Sequence, residues 1–136
     1  MPEYILKDDG LIYSLEGFFP GNIKAGFTKS IEIKQLPDDA AKLLNSLGKP
    51  SGISYMDQIH SNIIKHSVAD GVYECDGIFT SFPGLVLVVK TADCMPLVFY
   101  SRNKDMLGVV HMGWRSAFGG ILDNVAEDLS SFKVVA

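Results

Sequence analysis

At 136 residues the chain is sized for a single domain, and its 47% apolar and 21% charged residues are ordinary for a globular protein that buries a core. A formal net charge of −4, with no cluster of lysines and arginines, argues against nucleic acid as a partner. The longest apolar run, residues 85–89, is too short to cross a bilayer, and the acidic N-terminal segment is unlike a secretory signal. The expected setting is therefore the cytoplasm, where Cys75 and Cys94 would stay free thiols.

Short strands are expected first, over residues 4–6, 11–15 and 24–28, separated by Asp-Gly and Pro-Gly turn signals. A helix follows, with Pro37 and Asp38 at its start and Gly48 just past its end. Pro50 and Gly52 break the chain before an extended segment at 53–56. The middle is strand-rich, with strands expected over 62–66, 77–80, 85–91, 96–100 and 107–111. Residues 85–89 are apolar on both faces, the pattern of a central strand covered on both sides. Beyond Arg115 the period changes, and Ala117, Ile121, Leu122, Val125 and Leu129 define one helical face whose first turns are weakened by Gly119 and Gly120. Residues 132–136 read as the start of a further strand, the pattern of a shortened member of something longer. No repeat or linker marks an internal boundary, so 1–136 reads as one α/β domain.

Three stretches place reactive side chains at the ends of apolar strands: Gln58-Ile59-His60, Thr91-Ala92-Asp93-Cys94 and His111-Met112-Gly113-Trp114-Arg115. Two imidazoles and a thiol converging on one cleft would make a three-ligand zinc site with an open fourth position. They would equally make a Cys–His nucleophilic pair, and the spacing does not decide between the two. Gly113 to Arg115 lie where a strand passes into a helix. There, backbone N–H groups and a guanidinium suit an anionic oxygen, the alternative being a structural arginine with Trp114 packed in the core. His66 is expected at a solvated strand end. Cys75 is expected to be blunted by the charges of Glu74 and Asp76.

These stretches, with Asp76-Gly77-Ile78, Pro83-Gly84 and the continuation Met95-Pro96, resemble the YfiH-like family in order and spacing over residues 55–130. That family was long called laccase-domain or polyphenol oxidase proteins and is described as purine nucleoside phosphorylases with adenosine deaminase activity. The resemblance implies a three-layer α/β fold with a mixed sheet and flanking helices, related to cysteine-hydrolase-like domains. It implies that His60, Cys94 and His111 hold zinc, with copper the weaker alternative. It also implies purine nucleosides (adenosine, inosine, guanosine, methylthioadenosine) and phosphate as small-molecule partners. On this basis Cys94, His111 and Asp93 are expected in the chemistry, and Gln58, Gly113 and Arg115 on substrate or phosphate. The chain departs from the family pattern after Gly26-Phe27-Thr28, where Lys29-Ser30-Ile31 replaces a loop carrying arginine and glycines. It also stops short of a further C-terminal segment. A Cys–His hydrolase or deamidase, a copper-dependent phenol oxidase and a non-catalytic binding paralogue are the competing readings.

Overall fold

A computed structural model of the chain describes residues 5–8, 12–16, 19–20, 22–28, 50–102, 104–128 and 134–135. It divides into two compact units, Met1–Pro50 and Ser51–Ala136. In the first unit, β1 (Ile5–Asp8), β2 (Ile12–Glu16) and β3 (Ala25–Thr28) form an antiparallel sheet in that order. Tyr13 lies opposite Phe27 with ring centroids 5.3 Å apart, a cross-strand aromatic pair that helps hold the register. The helix expected between Pro37 and Gly48 lies outside the described residues.

The described residues of the second unit form two sheets. β4 (Gly52–Asp57) runs parallel to both β6 (Gly71–Glu74) and β8 (Leu85–Val88), in the order β6-β4-β8. The other sheet has the order β11-β9-β10-β7-β5, from β5 (Ile64–His66), β7 (Gly77–Thr80), β9 (Met95–Ser101), β10 (Met106–Met112) and β11 (Val134–Val135). It is mixed: β5 runs parallel to β7, and the other neighbours are antiparallel. Two short helices follow β10, α1 (Trp114–Phe118) and α2 (Ile121–Asp128).

Side-chain alternation on β7 and β10 assigns a different layer to each face of the mixed sheet. Ile78 and Val109 pair across the strands and pack with Met56, Cys75 and Leu87 toward the parallel sheet. Phe79 and Val110 point the other way and pack with Ile121 and Val125 of α2. The result is a layered α/β architecture with a sheet on one side of the mixed sheet and helix on the other. All four residues of β7 are buried, which places this strand inside the unit.

Three expectations need correction. The apolar strand at 85–89 is not central: β8 is half-buried and lies at an edge of the described parallel sheet. β6 was not anticipated, because its residues alternate half-buried and exposed between Asp70 and Glu74 and carry little apolar signal. The helical face from Ala117 to Leu122 is not continuous. Gly120 adopts φ +82°, a left-handed conformation that suits glycine, and separates α1 from α2. Ala117 and Leu122 are consequently exposed, while Ile121 and Val125 are buried.

Polar side chains then pin α2 beside β5. Asn124 Nδ2 donates to the Asn62 carbonyl at 2.8 Å, Asn62 Nδ2 donates to the Gly119 carbonyl at 2.8 Å, and His66 Nε2 meets Asp128 Oδ2 at 2.7 Å. His66 is thus exposed, as expected, but has a carboxylate partner. An open groove of about 520 Å3 runs along this seam, lined by residues including Ile64, His66, Asn124 and Glu127.

Candidate metal centre

The registers of the mixed sheet bring distant sequence positions together. β9 and β10 pair so that His111 lies opposite Pro96 and Met112 opposite Met95; continuing the ladder by one residue places Gly113 against Cys94. β7 and β10 pair so that Val110 lies opposite Gly77; continuing by one residue places His111 against Asp76. The His111 N–H donates to the Asp76 carbonyl at 2.7 Å, which confirms that extension.

His60 arrives on the loop after β4, with φ +58°, an uncommon backbone conformation for a residue with a side chain. The Asp76 carboxylate supports it. Asp76 Oδ2 accepts from the N–H of Ile59 at 3.2 Å, the N–H of Ser61 at 2.7 Å and the Ser61 hydroxyl at 2.6 Å. Oδ1 accepts from the His60 N–H at 3.1 Å and from His111 Nδ1 at 2.9 Å. Three consecutive amides thus converge on one anion, an arrangement that left-handed backbone makes possible.

The side chain of Asp76 is fully buried. Burial alone would raise its pKa. The hydrogen bonds from Ser61 and His111, with those from the backbone at Ser61 and Ile59, outweigh burial and hold the carboxyl below the usual aspartate range. An ionised carboxylate only accepts, so His111 Nδ1 is the donor to Asp76 and Nε2 is the ring nitrogen left for another partner.

His60, Cys94 and His111 together present one ligand atom each, all within 4.8 Å of one another. Tetrahedral zinc, with bonds of about 2.0–2.3 Å, holds its donors roughly 3.5 Å apart, so the three side chains lie within a small adjustment of that geometry. The imidazole rings of His60 and His111 stand edge to face with centroids 5.1 Å apart. His111 is buried, Cys94 half-buried and His60 exposed, so the cluster opens to solvent on one side. Gly113 completes the wall: a Cβ there would lie 3.0 Å from Cys94 Sγ and 3.4 Å from His60 Cδ2. The donor set, the spacing and the carboxylate behind His111 all fit a metal ion.

The remaining expected site residues are placed differently. Gln58 donates from Nε2 to the Lys90 carbonyl at 2.7 Å and accepts the Lys90 N–H through Oε1 at 2.8 Å, tying the chain beyond β4 to the chain beyond β8. Asp93 is exposed on the segment leading into Cys94. Arg115 is exposed, with its guanidinium carbon 5.1 Å from the Trp114 ring centroid. Trp114 is 69% exposed, so the reading that packs it in the core does not hold; it meets the ring of Phe118 at 6.4 Å instead. Cys75 is buried in the core, and burial is the largest cause lifting its thiol to about 11, ahead of the Asp76 charge. Glu74, expected to contribute, is not among the causes.

Sequence reasoning missed the role of Asp76. Its signal is an acidic residue set between a buried cysteine and a wholly buried strand, a place where a charge persists only with partners.

Fold and cluster together define a mixed α/β protein with a metal-competent His/Cys/His centre. The chain belongs to the family described as multi-copper polyphenol oxidoreductase laccase, whose model matches residues 28–135. It is 28% identical over 117 residues to a purine nucleoside phosphorylase from Deinococcus radiodurans, covering 80% of this chain and 46% of that protein. It is 30% identical over 106 residues to a purine nucleoside phosphorylase from Borreliella burgdorferi, covering 74% of this chain and 45% of that one. Among solved structures, the fold is similar to the hypothetical protein YfiH of Bacillus licheniformis, at TM-score 0.72 and 20% identity over 91% of this chain and 57% of that one. It is likewise similar to YlmD of Geobacillus stearothermophilus, at TM-score 0.73 and 19% identity over 92% of this chain and 58% of that one. The chain thus spans about half the length of these relatives.

Proposed function

We propose that this chain is, or forms part of, a cytoplasmic zinc-dependent purine nucleoside phosphorylase that also deaminates adenosine. The observation that carries the reading is the convergence of His60, Cys94 and His111 on one solvent-facing point, braced by Asp76. The names of the Deinococcus and Borreliella relatives supply the substrate class and reaction. Among the described residues no helix is long and apolar enough to cross a membrane.

One thiolate and two imidazoles suit zinc and leave a coordination position for a ligand. Copper accepts the same donors, but reduction of oxygen by a multi-copper enzyme uses several centres, and the described residues contain one such cluster. Bound zinc would supply Lewis acidity at the open position.

In phosphorolysis of adenosine, inosine, guanosine or methylthioadenosine, a phosphate oxygen attacks ribose C1′. The N-glycosidic bond breaks and its electron pair leaves with the purine. The exposed Arg115 guanidinium would orient the phosphate, with Gly113 shaping the wall of the site and Gln58 fixing the loop that carries His60. In deamination, water adds at purine C6 and ammonia departs; Asp93 beside Cys94 would take and return the proton.

The test is metal analysis of the purified protein, with an adenosine assay run with and without phosphate. Bound zinc, phosphate-dependent release of adenine and formation of inosine are expected. A protein that holds no metal and turns over neither reaction with added zinc would sink the reading. Turnover that survives chelation but is lost on alkylating Cys94 would assign the Cys–His hydrolase instead. Metal binding without turnover would assign a binding role.

A further inference from the structure

The geometry points to Asp76 as the residue that assembles the metal centre, coupling the His60 loop to His111 through a single buried carboxylate. This rests on the reading of His60, Cys94 and His111 as metal ligands and adds a positioning residue that touches no substrate.

The two histidines reach the site by unrelated routes: His111 is part of β10, whereas His60 sits on a loop with its backbone at φ +58°. Nothing in the β10 ladder constrains that loop. The Asp76 carboxylate does, by accepting the N–H groups of Ile59, His60 and Ser61 together with the Ser61 hydroxyl. Its Oδ1 is shared between the His60 N–H and His111 Nδ1, so one atom fixes the backbone of one ligand and the ring of the other. The strand register in turn fixes Asp76, whose own carbonyl accepts the His111 N–H and whose N–H donates to the Ile63 carbonyl. The acceptor capacity of the carboxylate is fully taken up inside the protein, and its side chain has no exposed surface. It is therefore placed to hold ligands, not to exchange protons with a substrate. The carboxylate behind His111 fixes the orientation of its ring, and left-handed backbone held at His60 keeps its imidazole facing the other two donors before any metal arrives.

The experiment uses the full chain and three variants: Asp76→Asn, Ser61→Ala and, as a control, Ser54→Ala. Ser54 is equally buried and bonds to Ser67 Oγ at 2.6 Å, away from the cluster. Zinc affinity is read by competition with a chromophoric chelator, and ligand geometry by the visible d–d bands of the cobalt-substituted protein. Asp76→Asn is expected to lose roughly 10–100-fold in zinc affinity and to change the cobalt bands. Ser61→Ala, which removes one donor from the same carboxylate, is expected to lose several-fold in the same direction. Ser54→Ala is expected to lower thermal stability while leaving affinity and spectrum unchanged. In a double-mutant cycle, the affinity losses of His60→Ala and Asp76→Asn should fall well short of adding.

A folded Asp76→Asn protein with parental zinc affinity and parental cobalt spectrum would overturn the inference. Should Asp76→Asn not fold, parental zinc affinity in Ser61→Ala would overturn it instead. Failure of the unmutated protein to bind either metal would overturn the metal reading itself, a result that the variants alone cannot mimic.

Discussion

Two residues beside the centre show how local chemistry sets reactivity and fit. Cys94 and Cys75 are both free, but only Cys94 is partly exposed at the cluster. Burial lifts the Cys75 thiol from an ordinary value of 9.0 to about 11, so its thiolate is scarce at neutral pH. Alkylation of the metal-free protein at pH 8, followed by mass spectrometry, should label Cys94 and spare Cys75 until the protein unfolds. The linkage has a definite sign. Because the folded state holds the Cys75 proton more tightly than the unfolded state, the stability it contributes is fully present below about 9 and is lost as pH rises toward 11. Denaturant melts across that range should show the decline, and a Cys75→Ala variant should show less of it. At Gly113 the constraint is space. Gly113→Ala would press a methyl group against Cys94 Sγ and the His60 ring, so we expect weaker zinc binding and a stability loss of about 1–3 kcal/mol from overpacking. Isothermal titration and thermal melts would measure the two effects separately.

At the scale of elements, the break between α1 and α2 decides which apolar residues enter the core. With Gly120 left-handed, Ile121 and Val125 turn inward against Phe79 and Val110, while Trp114 and Phe118 stay outside. Ile121→Ala should therefore destabilise the protein by about 2–5 kcal/mol, the range for truncating a fully buried aliphatic side chain. Leu122→Ala, one position along but exposed, should change stability by only a few tenths of a kcal/mol. Urea melts of the pair would check this, and equal losses would contradict the observed break. The strands were legible in the sequence because strand-length runs of β-branched and aromatic residues over 77–80, 96–100 and 107–111 are local information. β6 was not, because a four-residue edge strand with Val72 largely exposed carries little apolar signal.

For the molecule as a whole, the proposed metal site would link ion binding to folding. An ion that binds the folded state stabilises it by an amount set by its concentration relative to its Kd, about 2.7 kcal/mol at a hundredfold excess. Added zinc should therefore raise the melting temperature of the protein. The shift should vanish in Cys94→Ala and His111→Ala, two of the three donors of the cluster. An equal shift in those variants would place the metal elsewhere. The mixed sheet makes this coupling possible, since its registers hold Cys94, Gly113, His111 and Asp76 side by side.

The sequence by itself was enough to read the α/β class and most of the strands, and to single out His60, Cys94 and His111 as reactive side chains at strand ends, because residue content is a property of short segments. Only the tertiary structure decided that those three share one point, that Gln58 is tied to the backbone of Lys90, and that Trp114 lies outside the core. It also decided the part played by Asp76. In the sequence this is one more acid beside a glycine. In the fold, the β7–β10 register carries it beneath His111, and burial makes five hydrogen bonds to its carboxylate a condition of its charge. Such a condition depends on partners from 15 to 35 residues away, which no local pattern records.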